Sequence, residues 1–216
     1  MAAYDFLLFD LDGTLSDPLL GVGRSINHAL ARFGHPEVPL EQMSACIGPP
    51  LEQSFRRLTG VQDEAHILAL IGAYRERYGA IGYAENTLYP GVPEALQALS
   101  AAGMPMALCT SKRADFAAKV LDLFGLRPHF RFISGGDVGR EKWQQIAELK
   151  AEGRIAAATL MIGDRAVDIS AARRNGLDGA GVLWGHGSRE ELEAAQPRQL
   201  FQQPDELPSL APRAME

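Results

Sequence analysis

Five short apolar runs limit what this chain can fold into. Residues 4–10 (YDFLLFD), 104–110 (MPMALCT), 130–134 (FRFIS), 159–164 (TLMIGD) and 180–184 (AGVLW) each have strand length. Several are near-continuous in apolar residues rather than alternating, the pattern of strands covered on both faces in a parallel sheet. Helical patterns fall between most of them. Residues 91–102 carry Pro93 near the start and Gly103 just past the end, the favoured arrangement of helix punctuation. The pattern of 115–124 stops at Gly125, that of 143–151 before Gly153 and that of 165–175 at Gly176. Ser188 with Glu191 reads as a capping box for a last helix. Strand–helix alternation of this kind predicts an α/β fold, a doubly wound parallel sheet with right-handed crossovers, and leaves the strand order open.

One stretch breaks the rhythm. Residues 16–87 hold helical periodicity at 21–33, 51–58 and 64–78, separated by GHPEVPL and CIGPP, and contain no strand pattern. That is too long for a single crossover, so a helical insert domain is expected at 16–87, with 1–15 and 88–216 forming the α/β core. The proline-rich tail after Pro197 is expected to drape over the surface.

The length of 216 residues suits one large domain with a smaller insert. With a net charge of −6 no basic face of the kind a nucleic-acid polymer would need is expected, although cations concentrated at a site can still take a small anionic substrate. Cys46 and Cys109 cannot make a disulfide framework in a chain this long, which points to a reducing compartment and a cytoplasmic protein. The start, MAAYDFLLFDLDG, has no basic leader and too short an apolar run to be a signal peptide or a membrane span.

The chemistry lies where the apolar runs end. The first run ends in Asp10, the second in Thr110 and the fourth in Asp164. In open α/β sheets ligands bind outside the carboxyl ends of the strands, so three strands bring a carboxylate, a hydroxyl and a carboxylate to one rim. Turn chemistry accounts for FDLDGTLSD alone but poorly for all three ends together. Carboxylates so close need a cation to stay ionised together. Asp10, Asp12 and Asp164 offer only oxygen donors, which selects a hard ion such as magnesium, whereas the five histidines show no zinc-ligand spacing.

With these motifs in view the sequence resembles the haloacid dehalogenase (HAD) superfamily. Residues 9–15 (FDLDGTL), 108–112 (LCTSK), Lys142 and 161–168 (MIGDRAVD) are similar to its four motifs. The helical insert is similar to the small cap that the family places between its first two motifs. CIGPPLEQSF and GVLWGHGSREEL resemble the phosphoglycolate phosphatase-like and 5′-nucleotidase-like members.

The resemblance implies a magnesium-dependent phosphatase for small phosphorylated metabolites, acting as a monomer or homodimer through an aspartyl-phosphate. Asp10 would be the nucleophile and Asp12 the acid and base, its main-chain carbonyl also binding the metal. Thr110 and Ser111 would hold the phosphoryl group at a helix start. Lys142 would pair with phosphate, although EKW stands where the family has lysine–proline, and Lys112 and Lys150 are rivals. Asp164 would bind the metal, and Asp168, one helical turn on, would orient the lysine and metal waters. Gly13 and Gly163 would allow close backbone approach to ion or phosphate.

Each role has a plainer counterpart: an Asx turn for Asp12, an N-cap for Thr110, a first-turn acid on the helix dipole for Asp168. In the cap, Ile47, Gly48, Pro49 and Pro50 form a candidate specificity loop, with Arg24, Arg56 or Arg57 as cationic contacts. Thr14 and Ser16 are expected to shape the turn, and Asp17 to lie on the surface. A phosphomutase of the β-phosphoglucomutase type, or a regulatory protein that keeps only the fold, are the alternatives. Dehalogenation is disfavoured by Asp12, since that chemistry needs no acid–base carboxylate there.

Overall fold

The computed structural model describes residues 4–212, which divide into two compact units, 4–16 with 88–212 and 17–87. In chain order the elements are β1 (Phe6–Phe9), β2 (Ser16–Asp17), α1 (Leu19–Arg32), α2 (Leu51–Thr59), α3 (Glu64–Ala80) and β3 (Thr87–Leu88). There follow α4 (Val92–Ala101), β4 (Met106–Thr110), α5 (Ala114–Leu123), β5 (Ile133–Gly135), α6 (Lys142–Ala151) and β6 (Thr159–Gly163). The chain ends with α7 (Ala166–Arg174), β7 (Asp178–Val182), α8 (Arg189–Ala194) and β8 (Gln199–Phe201).

Six strands form one parallel sheet in the order β5-β4-β1-β6-β7-β8. β1 therefore sits between β4 and β6, at the point where the chain has finished building one side of the sheet and crosses back through α6 to build the other. Every residue of β1, β4 and β6 is buried, which explains their unbroken apolar runs. Phe6 and Leu8 share one face with Ala107, Cys109 and Met161, under Ile146 and Leu149 of α6 and Ala171 and Ala172 of α7. The intervening Leu7 and Phe9 are equally buried, and Phe9 meets Phe130 edge-on at 6.2 Å.

Two local readings change. The segment after Pro197 is a sixth strand: β8 pairs with β7 through Ala180↔Gln199 and Val182↔Phe201, and Pro204–Leu210 winds into a 3₁₀ turn against α4. Three residues carry no alternation that could announce a strand; the open edge of β7 supplies the partner. The fifth run is displaced as well: β7 ends at Val182, because Trp184 is drawn away to donate its Nε1–H to the Thr14 carbonyl at 2.9 Å.

In the 17–87 unit α1 packs on α3 over a core that includes Ile26, Leu30, Ile67, Leu70 and Tyr78. Asp63 caps α3 by accepting from His66 N at 2.8 Å, and Asp17, expected to be a plain surface residue, accepts from Leu19 N at 2.9 Å in the first turn of α1. Among the described residues no helix is long and apolar enough to cross a membrane.

Candidate active site

Asp10, Thr110 and Asp164 stand at the carboxyl ends of β1, β4 and β6, three adjacent strands in the middle of the sheet. The pairing of β1 with β6 continues one step past the strand, where Asp10 N donates to Ile162 O at 2.9 Å. Asp10 is thus anchored by its backbone, and its Oδ1 accepts from Leu11 N at 2.8 Å. Beyond it the chain turns sharply, with Gly13 at φ +80°. A Cβ on Gly13 would lie 2.1 Å from Asp164 Oδ2, so glycine is required by both dihedral and space. Gly163 meets the same limit against Asp168, whose Cγ would be 2.1 Å from an added Cβ. Both glycines were expected to make room for an ion or phosphate; what they admit directly is a carboxylate.

The three lysines separate cleanly. Lys142 is the first residue of α6 and is buried, with Nζ 2.8 Å from Asp10 Oδ2 and also paired with Asp168 Oδ1. Lys112 lies on Asp12 Oδ2 at 2.8 Å. Lys150 is exposed and donates to the Asn175 carbonyl. The missing proline after Lys142 is replaced by other means: Glu141 N donates to Gln144 Oε1 at 2.9 Å, and the Arg174 guanidinium sits 3.9 Å over the Trp143 ring. The start of α6 is fixed without a locked φ at its second position.

Asp168, the third residue of α7, accepts from Lys142 through Oδ1 and from Arg165 N through Oδ2 at 3.1 Å. It therefore satisfies the helix start and the lysine with the same carboxylate. Glu191 behaves differently from the expected capping box. Ser188 Oγ does accept from Glu191 N at 3.1 Å, but the Glu191 carboxylate turns to Arg165 Nε and Ala166 N, both at 2.9 Å.

Burial dominates the electrostatics. It pushes the Asp164 carboxyl up to about 7, reinforced by Asp168 and Asp10 and opposed by the His186 N–H. Asp168 is raised to about 6 by burial, with Lys142 opposing. Burial also raises Asp12 against the pull of Lys112. For Lys142 burial lowers the proton affinity, but Asp10 and Asp168 outweigh it and the ammonium is held above its usual range.

The site contains four carboxylates (Asp10, Asp12, Asp164, Asp168) and two ammonium groups (Lys112, Lys142), an excess of two negative charges when all are ionised. Asp10, Asp164 and Asp168 each offer an oxygen within 4.8 Å of the others. An all-oxygen, doubly negative, buried cluster fits a hard divalent cation in both charge and donor type.

Several site residues escaped sequence reasoning. Thr14 does more than shape its turn, since its Oγ1 donates to Asp164 Oδ1 at 3.4 Å. His186 N donates to Asp164 Oδ2 at 2.8 Å, so the WGHG segment after β7 closes over the metal-ligand candidate. Gln145, fully buried, donates from Nε2 to the Thr110 carbonyl at 3.3 Å and accepts from Ser134 Oγ at 3.1 Å. A glutamine inside an amphipathic helix carries no signal of this; only the crossing of α6 under β4 reveals it. Thr110 is buried and its Oγ1 accepts from Lys112 N at 3.2 Å, while Ser111 is half-buried.

Within the 17–87 unit, Ile47 is buried, Gly48 has φ +97° and Pro49 is half-buried, in the link leading to α2. Arg56 pairs with Glu64 and donates to Gln62 O at 2.8 Å, Arg24 meets Glu85 at 2.7 Å, and Arg57 contacts Cys46 Sγ at 3.1 Å. All three arginines are engaged by groups of their own unit.

Residues 7–182 match the family model of the haloacid dehalogenase-like hydrolases. The chain belongs to that family. It is 41% identical to a 5′-nucleotidase of Pseudomonas aeruginosa, over 90% of this chain and 89% of the relative. It is 33% identical to the tyrosine-protein kinase PtkA of Mycobacterium tuberculosis, over 87% of this chain and 65% of that protein. Among solved structures, a predicted phosphatase from Clostridium acetobutylicum superposes with a TM-score of 0.90 at 32% identity, covering 96% of this chain and 98% of that one.

Proposed function

We propose that this chain, a phosphatase of the family, is a magnesium-dependent cytoplasmic enzyme that hydrolyses small phosphorylated metabolites of the nucleoside monophosphate or phosphoglycolate type. The observation that carries the reading is the buried cluster at the ends of β1, β4 and β6, in which Asp10 and Asp12 each face their own ammonium. Asp10 is rigidly held by its backbone and by Leu11 N, as an attacking carboxylate must be.

In the first step an Asp10 carboxylate oxygen bonds to phosphorus while the ester P–O bond breaks, and Asp12 gives its proton to the departing oxygen. In the second, a water oxygen bonds to phosphorus, its proton passes to the Asp12 carboxylate, and the P–O bond to Asp10 breaks. Inorganic phosphate and the alcohol leave, and both aspartates return to their starting states. Lys142 balances charge beside Asp10, Thr110 and Ser111 hold phosphoryl oxygens, and Asp168 keeps Lys142 in place.

Asp10, Asp164 and the main-chain carbonyl of Asp12 would hold the magnesium; bound there it neutralises charge on the phosphoryl oxygens as a Lewis acid. The 17–87 unit serves as the cap, and residues 47–50 supply its specificity loop. Two free, buried cysteines support action in a reducing cytoplasm.

The test is phosphate release from nucleoside monophosphates, phosphoglycolate and sugar phosphates, with magnesium and with EDTA. Bulk release that needs the metal is expected. Transfer of label from a sugar bisphosphate with little free phosphate would replace the phosphatase by a mutase.

A further inference from the structure

Two ammonium groups serve this site, and only one has a part in the reaction as written. Lys112 lies 2.8 Å from Asp12 Oδ2, with 5% of its side chain exposed against 14% for Asp12. Burying an ammonium carries a desolvation penalty that a lysine just past a strand end ordinarily avoids by reaching into water.

Its backbone is fixed on both sides, since Lys112 N donates to Thr110 Oγ1 at 3.2 Å and Lys112 O accepts from Gly136 N at 3.0 Å. The partner carboxylate is used unevenly. Oδ2 is taken by Lys112, whereas Oδ1 is buried with no hydrogen-bond partner among the described residues. A buried acceptor left unmade is expensive unless something binds there in use.

We propose that Lys112 is a positioning residue: it holds Asp12 by Oδ2 and leaves Oδ1 to meet the ester oxygen, which lets the enzyme cleave esters with poor leaving groups. The inference rests on the phosphatase reading above. A nucleoside 5′-oxygen or a glycolate oxygen must receive a proton as it departs, and its rate depends on where the Asp12 carboxyl points. p-Nitrophenolate leaves without one. Loss of the Lys112 contact should therefore injure the two kinds of substrate unequally, which simple neutralisation of a buried carboxylate would not do.

The experiment compares kcat and KM of the magnesium-loaded wild type, Lys112→Met, Lys112→Arg and Asp12→Asn on a nucleoside 5′-monophosphate and on p-nitrophenyl phosphate. Thermal midpoints are recorded for each. For Lys112→Met, kcat on the nucleotide should fall at least about tenfold further than kcat on p-nitrophenyl phosphate, as expected of a displaced general acid. Lys112→Arg should recover part of the difference, and Asp12→Asn should show the same bias more strongly. Equal losses on both substrates, or losses confined to KM, would overturn the proposal and leave the phosphatase intact. A wild type inactive on both would overturn the phosphatase reading and this proposal with it. If Lys112→Met does not fold, Lys112→Gln, which keeps a donor, is read by the same two ratios.

Discussion

Removing divalent cations should make the protein less stable as pH rises, the reverse of ordinary acid denaturation. Asp164 is moved by burial from 3.8 to about 7, so between those values the folded chain holds a proton that the unfolded chain has released. Folding stability then falls with rising pH across that window, and the contribution of this group is gone above about pH 7. A shift of about three pKa units corresponds to about 4 kcal/mol. For a chain of this size that is on the order of 10 °C in Tm. Asp168 is displaced the same way, to about 6, but belongs to the same cluster and titrates with it rather than adding a second independent loss.

Other resolved shifts act elsewhere on the pH scale. Glu85 and Asp115 are lowered by hydrogen bonds from Arg77 and Arg113, so their contributions disappear only below the usual carboxylate range. Lys142 is raised, and its contribution is lost only above the usual lysine range. The assay is thermal unfolding in EDTA from pH 5 to pH 8, repeated in millimolar magnesium. The metal-free Tm should fall by several degrees and magnesium should restore it at pH 8, since a ligand of the ionised form stabilises the folded state. Asp164→Asn should flatten the metal-free profile and remove the magnesium effect. A metal-free Tm that holds steady or rises from pH 5 to pH 8, or an Asp164→Asn profile identical to wild type, would refute the reasoning.

Other expectations follow from the same contacts. Asp10→Asn should reduce phosphate release at least about a thousandfold while leaving circular dichroism and Tm near those of wild type; retained turnover would remove Asp10 as nucleophile. Lys142→Met leaves Asp10 and Asp168 buried without their counter-ion, and denaturant melts should show a loss of about 3–5 kcal/mol near neutral pH that shrinks in acid. Gly13→Ala forces φ +80° on an alanine and drives its Cβ into Asp164, so it should lower stability by at least about 1–2 kcal/mol and weaken magnesium binding measured by calorimetry.

Much of the candidate site was legible because its residues occupy the ends of hydrophobic runs. A short run such as LLF, set among alternating helical patterns, reads as a buried strand, and a carboxylate at the end of such a strand emerges at the rim. The strand ends of Asp10, Thr110 and Asp164 followed from that rule alone. Lys142 was harder. Nothing in EKWQQ says that its lysine is buried, and three lysines competed until the crossing of α6 brought one of them onto Asp10. His186, Trp184 and Gln145 were illegible for a related reason. They act through one backbone N–H, one indole N–H and one amide, groups whose partners lie 22, 170 and 35 residues away.

What the sequence determined by itself was the alternation of strands and helices, the helical stretches that became α1, α2 and α3, though not the two-residue strands β2 and β3 at the bounds of 16–87, and the chemistry available at the strand ends. These depend on local periodicity and on which side chains tolerate burial, both readable over a dozen residues. Only the tertiary structure decided that β1 lies between β4 and β6, that the last three-residue run completes the sheet as β8, and which lysine meets which aspartate. Strand order and ion pairing are settled by contacts between residues far apart in the chain, where burial penalises every unpaired charge and Lys112 and Lys142 are paired with Asp12, Asp10 and Asp168.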